Sequence, residues 1–131
     1  MKNIIDTGPL AYQFDRADTP LRRWSRRLFS QHRPPFFTCE PVLTEAAYLT
    51  SPELIARMVK AGDLVVDFSW QEEIEHIHKL LAHYPNMDLA DACLVRMSEL
   101  LPDCRIFTID REDFSFYRRF RNKPIPAIFP D

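Results

Sequence analysis

Four aspartates stand where carboxylates can work together: Asp6, Asp88, Asp91 and Asp110. Asp6 ends the short apolar run Ile4-Ile5 and is followed by Thr7-Gly8-Pro9. Asp110 repeats the pattern after Ile106-Phe107-Thr108-Ile109. Asp88 and Asp91 are three residues apart, so a helix puts them on one face of its first turn. Carboxylates that share a cleft repel one another, and a divalent cation relieves that repulsion. Oxygen donors with no His or Cys among them favour Mg2+ or Mn2+ over zinc. A carboxylate-held pair of such ions suits phosphodiester hydrolysis, one ion activating water and the other stabilising the leaving oxygen. Thr7 and Thr108 are placed to orient the carboxylates.

Each acid also has an ordinary use. Asp6-Thr7 fits a helix cap or an Asx-turn. Asp88 caps the helix that follows it, and the helix dipole favours Asp91. Glu45 stands in the middle of an apolar helical stretch and faces either solvent or a cleft.

The acids converge only if strands and helices deliver them to one edge of a sheet. Strand-like runs at Ile4-Ile5, Phe36–Cys39, Leu64–Phe68 and Arg105–Ile109 alternate with helical patterns. A loop is expected after Asp6. Asp18 or Thr19 then caps a helix with Pro20 in its first turn, and Leu21, Trp24, Leu28 and Phe29 form its apolar stripe. Glu40–Leu49 reads as a helix. Ser51-Pro52-Glu53 opens another, and Gly62 ends it. Ser69 and Glu72 fit a capping box before Ile74, Ile77, His78 and Leu81. Pro124–Phe129 is a Pro-edged strand suited to a sheet edge. Alternation without hairpin turn signals predicts βαβ units and a parallel sheet. Acids at the carboxyl ends of two parallel strands, and at the start of the helix between them, then share one edge.

A chain of 131 residues, 46% hydrophobic and 27% charged, is read as a single domain spanning 1–131. A net charge of −2 gives no overall pull toward nucleic acid, so any basic surface must be local. Arginines form two knots, Arg22-Arg23 with Arg26-Arg27 and Arg118-Arg119 with Arg121, and Arg forks suit phosphate. Only 2 glycines are present, which rules out a GxGxxG or P-loop motif. Cys39, Cys93 and Cys104 are too far apart for a zinc motif and read as core residues. No signal-like segment or membrane-length apolar run is seen, so a cytoplasmic protein is expected, with no membrane association.

Four stretches, taken together, resemble the signature segments of PIN-domain ribonucleases, and more narrowly those of VapC-type toxins of toxin–antitoxin pairs. They are Ile4–Leu10, Pro41–Leu49, Met87–Ala92 and Phe107–Phe114. The resemblance implies an α/β fold, a PIN-like three-layer domain with a central parallel sheet flanked by helices. It implies Mg2+-dependent endonucleolytic cleavage of RNA, with Mn2+ as a substitute. Asp6, Glu45 and Asp91 match the family's first three acids, and Asp110 or Asp113 the fourth. Asp6, Glu45, Asp91 and Asp110 are thus the expected catalytic acids and metal ligands, helped by Asp88 and Asp113. On this reading Glu45 turns toward the cleft. The implied partners are an RNA substrate, a cognate antitoxin protein and a second copy of the chain. Arg22, Arg23, Arg26 and Arg111 are the candidate contacts to RNA phosphate.

Two other classes compete. One is a PIN-like module that binds RNA or protein without cutting it. The other is a phosphotransfer domain with Asp6 as nucleophile. The latter lacks a second acid two residues on, where Gly8 stands, and has no Lys near any acid segment.

Overall fold

Ile4 and Ile5 are fully buried because the strand that carries them has a neighbour on each side. The computed structural model describes residues 1–131. In chain order the elements are β1 (Lys2–Ile5), α1 (Thr7–Tyr12), α2 (Pro20–Gln31), β2 (Phe36–Thr38), α3 (Glu40–Leu49), α4 (Pro52–Lys60) and β3 (Leu64–Val66). There follow α5 (Ile74–His83), α6 (Leu89–Leu100), β4 (Cys104–Phe107), α7 (Arg111–Phe116), β5 (Arg118–Arg119), β6 (Lys123–Pro124) and β7 (Ala127–Ile128).

Five strands make one parallel sheet in the order β3-β2-β1-β4-β7, flanked by helices. This is the α/β arrangement that the alternating pattern predicts. Of the Pro-edged strand expected over Pro124–Phe129, only Ala127–Ile128 lies at the sheet edge, as β7, while Pro124 belongs to β6. Ile4 pairs with Phe37 on one side and Ile106 on the other, and Ile5 pairs with Phe107. The chain winds outward from β1 through β2 and β3, then returns to the far side of β1 as β4. Winding reverses between β1 and β4, and a crevice opens there at the carboxyl ends of the strands.

The core gathers Ile4, Ile5, Phe36, Leu94, Ile106 and Phe107, each at most 1% exposed. Helix α6 is buried along nearly all of its first two turns, from Ala90 to Val95. Burying side chains such as Leu94 and Met97 contributes about 1.5–3 kcal/mol each, and it anchors the helix start against the sheet. No helix is long and apolar enough to cross a membrane.

Three local expectations change. Helix α1 begins directly after Asp6, where a loop is expected. Gly8 and Pro9 lie in its first turn, where backbone N–H groups have no intrahelical acceptor and Pro costs no bond. A two-stranded antiparallel ribbon, β5 with β6, appears without a hairpin signal. Its turn uses Phe120 and Arg121 at φ of 50° and 72°, positions where Gly or Asn would have marked it. The Ser69 cap does form, with Glu72 N–H donating to Ser69 Oγ at 3.2 Å, but regular helix begins only at Ile74.

Candidate metal centre

Three of the acids, Asp6, Asp88 and Asp110, reach the crevice from the end of an element. Asp6 follows β1 and caps α1, its Oδ1 accepting from Thr7 N–H at 2.7 Å. Asp88 caps α6 by accepting from Asp91 N–H at 2.8 Å. Asp110 follows β4 and caps α7, accepting from Asp113 N–H at 3.0 Å. The ordinary capping role and the cleft position are therefore held by the same residues. A cap carboxylate has already turned toward the positive end of a helix, so it arrives at the crevice partly stabilised.

Carboxylate oxygens of Asp91, Asp110 and Asp113 lie within 4.8 Å of one another. This acidic group can hold a metal ion, and its donors are all oxygen. The sequence left the fourth acid open between Asp110 and Asp113, and the structure brings both into the same group. Asp6 lies beside them through a shared hydroxyl. Thr108 Oγ1 donates to Asp6 Oδ2 at 2.7 Å and accepts from Asp110 N–H at 3.1 Å. Thr108 is fully buried, so its single hydroxyl ties the ends of β1 and β4 together. Thr7 Oγ1 donates to Glu45 Oε2 at 3.0 Å, which draws α3 to the crevice. Glu45 is solvent-exposed and sits at the mouth, with Asp88 also exposed. A groove of about 610 Å3 continues from Glu45 and Asp88 over Pro41, Phe68 and Trp70.

Electrostatics agree with the geometry. Burial raises Asp6 to about 6, opposed by its bonds from Thr108 and Thr7 and reinforced by the charges of Glu45 and Asp88. Asp91 is only 8% exposed, and burial raises it to about 7. The bond from Tyr117 opposes that rise, while Asp88, Asp6 and Asp110 add to it. Asp113 is raised by its hydrogen bond with Asp110, by burial and by the charges of Asp110, Glu112 and Asp88. With no cation bound, Asp6, Asp91 and Asp113 hold protons more tightly than free carboxyls do. A bound cation would replace those protons.

No protein-family model matches this chain, and no curated protein does. The site's chemistry therefore rests on its own residues.

Tyr117 belongs to that site, and the sequence reading missed it. Its hydroxyl donates to Asp91 Oδ2 at 2.8 Å, and burial together with this bond raises its own pKa. The available signal was general: a buried Tyr needs a partner for its hydroxyl. Of the aromatics around Tyr117, Phe114 is buried, while Phe116 and Phe120 are exposed.

Three of the four candidate phosphate-binding arginines have partners within the chain. Arg23 pairs with Asp18 at 3.0 Å, and Arg26 donates to the carbonyl of Gln13 at 3.1 Å. Arg22 is half-buried with its Nε unpartnered. Arg111 donates to the carbonyl of Pro130 at 2.9 Å and lies over the ring of Phe129. No hydrogen bond or ion pair joins any of the four to the acids. All three cysteines are buried and free, and none belongs to the acidic group.

Proposed function

We propose that this chain is a divalent-metal-dependent endoribonuclease of the PIN-domain type, the toxin of a toxin–antitoxin pair. The observation that carries the reading is the Asp91, Asp110 and Asp113 group at the β1/β4 crossover, with Asp6 tied to it through Thr108. Asp91, Asp110 and Asp113 would hold the cation, joined by Asp6, with Glu45 and Asp88 at the mouth. Oxygen-only donors favour Mg2+, with Mn2+ as a substitute. When bound, the ion supplies Lewis acidity toward the attacking water and the charge growing at phosphorus. The chain's own residues set the stage for that chemistry. Thr108 orients Asp6 through Oδ2, and Tyr117 orients Asp91 through Oδ2. The hydroxyl of Thr7 holds Glu45 across the opening. Attack by water predicts inversion at phosphorus. In the same reading, an antitoxin fills the crevice of the resting protein, and the chain forms a homodimer.

The test is cleavage of a mixed-sequence RNA panel by the purified chain. Cleavage should need Mg2+ or Mn2+, stop with EDTA, and fall at least about a hundredfold in Asp6→Asn. Thermal stability of that variant should be equal or higher, because a repelling charge is gone. Metal-independent cleavage, or full activity in Asp6→Asn, would refute the reading.

A further inference from the structure

Two members of the second arginine knot, Arg118 and Arg121, open onto a pocket. A cavity of about 450 Å3 lies between α5, α6 and the β5–β6 ribbon. Four side chains that are cationic at neutral pH line it, Lys79, Arg96, Arg118 and Arg121, with His76, His83 and a single carboxylate, Glu99. Arg96 is already neutralised, its Nε on Glu73 at 2.7 Å and its Nη1 on Glu99 at 3.2 Å. Lys79, Arg118 and Arg121 form no ion pair. Three uncompensated cations thus face one cavity in a chain whose net charge is −2.

Arg118, and the turn that carries Arg121, are held in place. Arg118 Nη1 donates to the carbonyls of Ser115 and Tyr117 at 2.8 and 3.1 Å, which fixes its guanidinium at the end of α7. Its backbone N–H donates to Tyr84 Oη at 3.0 Å. Phe120 and Arg121 both adopt left-handed backbone, which is costly for side chains of their size. Phe120 N–H donates to Glu99 Oε2 at 2.7 Å, and this bond holds the strained turn. The turn presents an aromatic ring, 42% exposed, next to Arg121, with the Arg119 guanidinium over the ring at 5.2 Å from its centroid. Backbone strain of this kind persists where the surrounding structure imposes it, and here the product is one ring and one guanidinium at a cationic cavity.

We infer that this pocket seats one nucleotide of a single-stranded RNA, its phosphodiester on Lys79, Arg118 and Arg121 and its base stacked on Phe120. Base stacking on an aromatic ring beside Arg forks is how single strands are held without sequence preference. The inference rests on the ribonuclease reading for the identity of the polymer. The acids cannot hold the strand themselves, because they repel phosphate.

Binding of a fluorescein-labelled 12-nucleotide RNA in EDTA tests this apart from cleavage. The paired substitution Lys79→Gln and Arg121→Gln removes two cations that make no ion pair, so the fold should be retained. It should weaken binding about tenfold and reduce the slope of log K against log salt by about 0.7 for each lost phosphate contact. Arg121→Lys should recover part of the loss, and Phe120→Leu should weaken binding without changing the salt slope. Unchanged affinity and slope in the double variant would overturn the inference. So would displacement of the RNA by micromolar inorganic phosphate, which marks a small-anion site instead. Wild-type cleavage with Mn2+ is scored separately. RNA binding through this pocket with no cleavage would sink the nuclease reading alone, and cleavage with an unaltered double variant would sink the pocket alone.

Discussion

The hydroxyl of Tyr117 donates to Asp91 Oδ2 at 2.8 Å across 26 residues of chain. It is the bond that favours the charged form of an otherwise buried carboxylate. Removing it in Tyr117→Phe leaves that oxygen unsatisfied and should cost about 1–3 kcal/mol of stability. Metal affinity should fall about 10–100-fold, since an outer partner that orients a ligand is lost. Titration calorimetry with Mn2+ and a thermal melt read the two effects. Unchanged Mn2+ affinity would show that Tyr117 only fills space.

The raised acids make the metal-free protein sensitive to pH in a direction opposite to that of ordinary salt-bridged acids. Asp6 titrates near 6 and Asp91 near 7 in the folded state, against 3.8 for the free carboxyl. The folded state therefore holds protons that the unfolded state has released. Their stabilisation is complete below about pH 4 and lost as pH rises through about 6 to 7. In EDTA the melting temperature should fall between pH 5 and pH 8, by about 4 °C for each kcal/mol lost. Asp91→Asn should flatten that profile, and Mn2+ should restore the melt at pH 8. A melt in EDTA that rises from pH 5 to 8 would contradict the crowding of the acids.

Thr108 joins two strands through one side-chain oxygen. Thr108→Val keeps the shape but strands the Asp110 N–H and Asp6 Oδ2. The expected cost is about 1–3 kcal/mol, with a drop in RNA cleavage of about 10–100-fold. Thr108→Ser, which keeps the hydroxyl, should retain most of both. Equal behaviour of the Val and Ser variants in melts and cleavage assays would assign the effect to packing.

Gly8 is required by a close approach rather than by its backbone conformation. A Cβ added there would meet Ile109 Cγ1 at 2.7 Å and Cδ1 at 2.8 Å. Helix propensity alone favours Ala over Gly by about 1 kcal/mol. The clash should outweigh it, so Gly8→Ala should destabilise by about 1–3 kcal/mol. Ile109 lies between Thr108 and Asp110, so the same shift should lower metal affinity. The double variant Gly8→Ala with Ile109→Val should recover part of the stability in a denaturant titration. A stabilised Gly8→Ala would show that Ile109 yields freely.

The readable part of this protein was local. Apolar runs ending in Asp6 and Asp110 mark strands, Ser51-Pro52 and Asp88 mark helix starts, and their alternation implies a parallel sheet. These signals act over a few residues, where periodicity and capping dominate, so they survive without knowledge of the rest of the chain. Parallel pairing then carries both strand-end acids to one edge by topology alone. Tertiary structure decided the rest. It put Asp110 and Asp113 into one group with Asp91, brought Tyr117 to Asp91, pressed Ile109 against Gly8, and bent Phe120 and Arg121 into a left-handed turn. Each of these depends on side chains far apart in sequence meeting at fixed register. Only the packed sheet and its helices set that register, and no short stretch of residues encodes it.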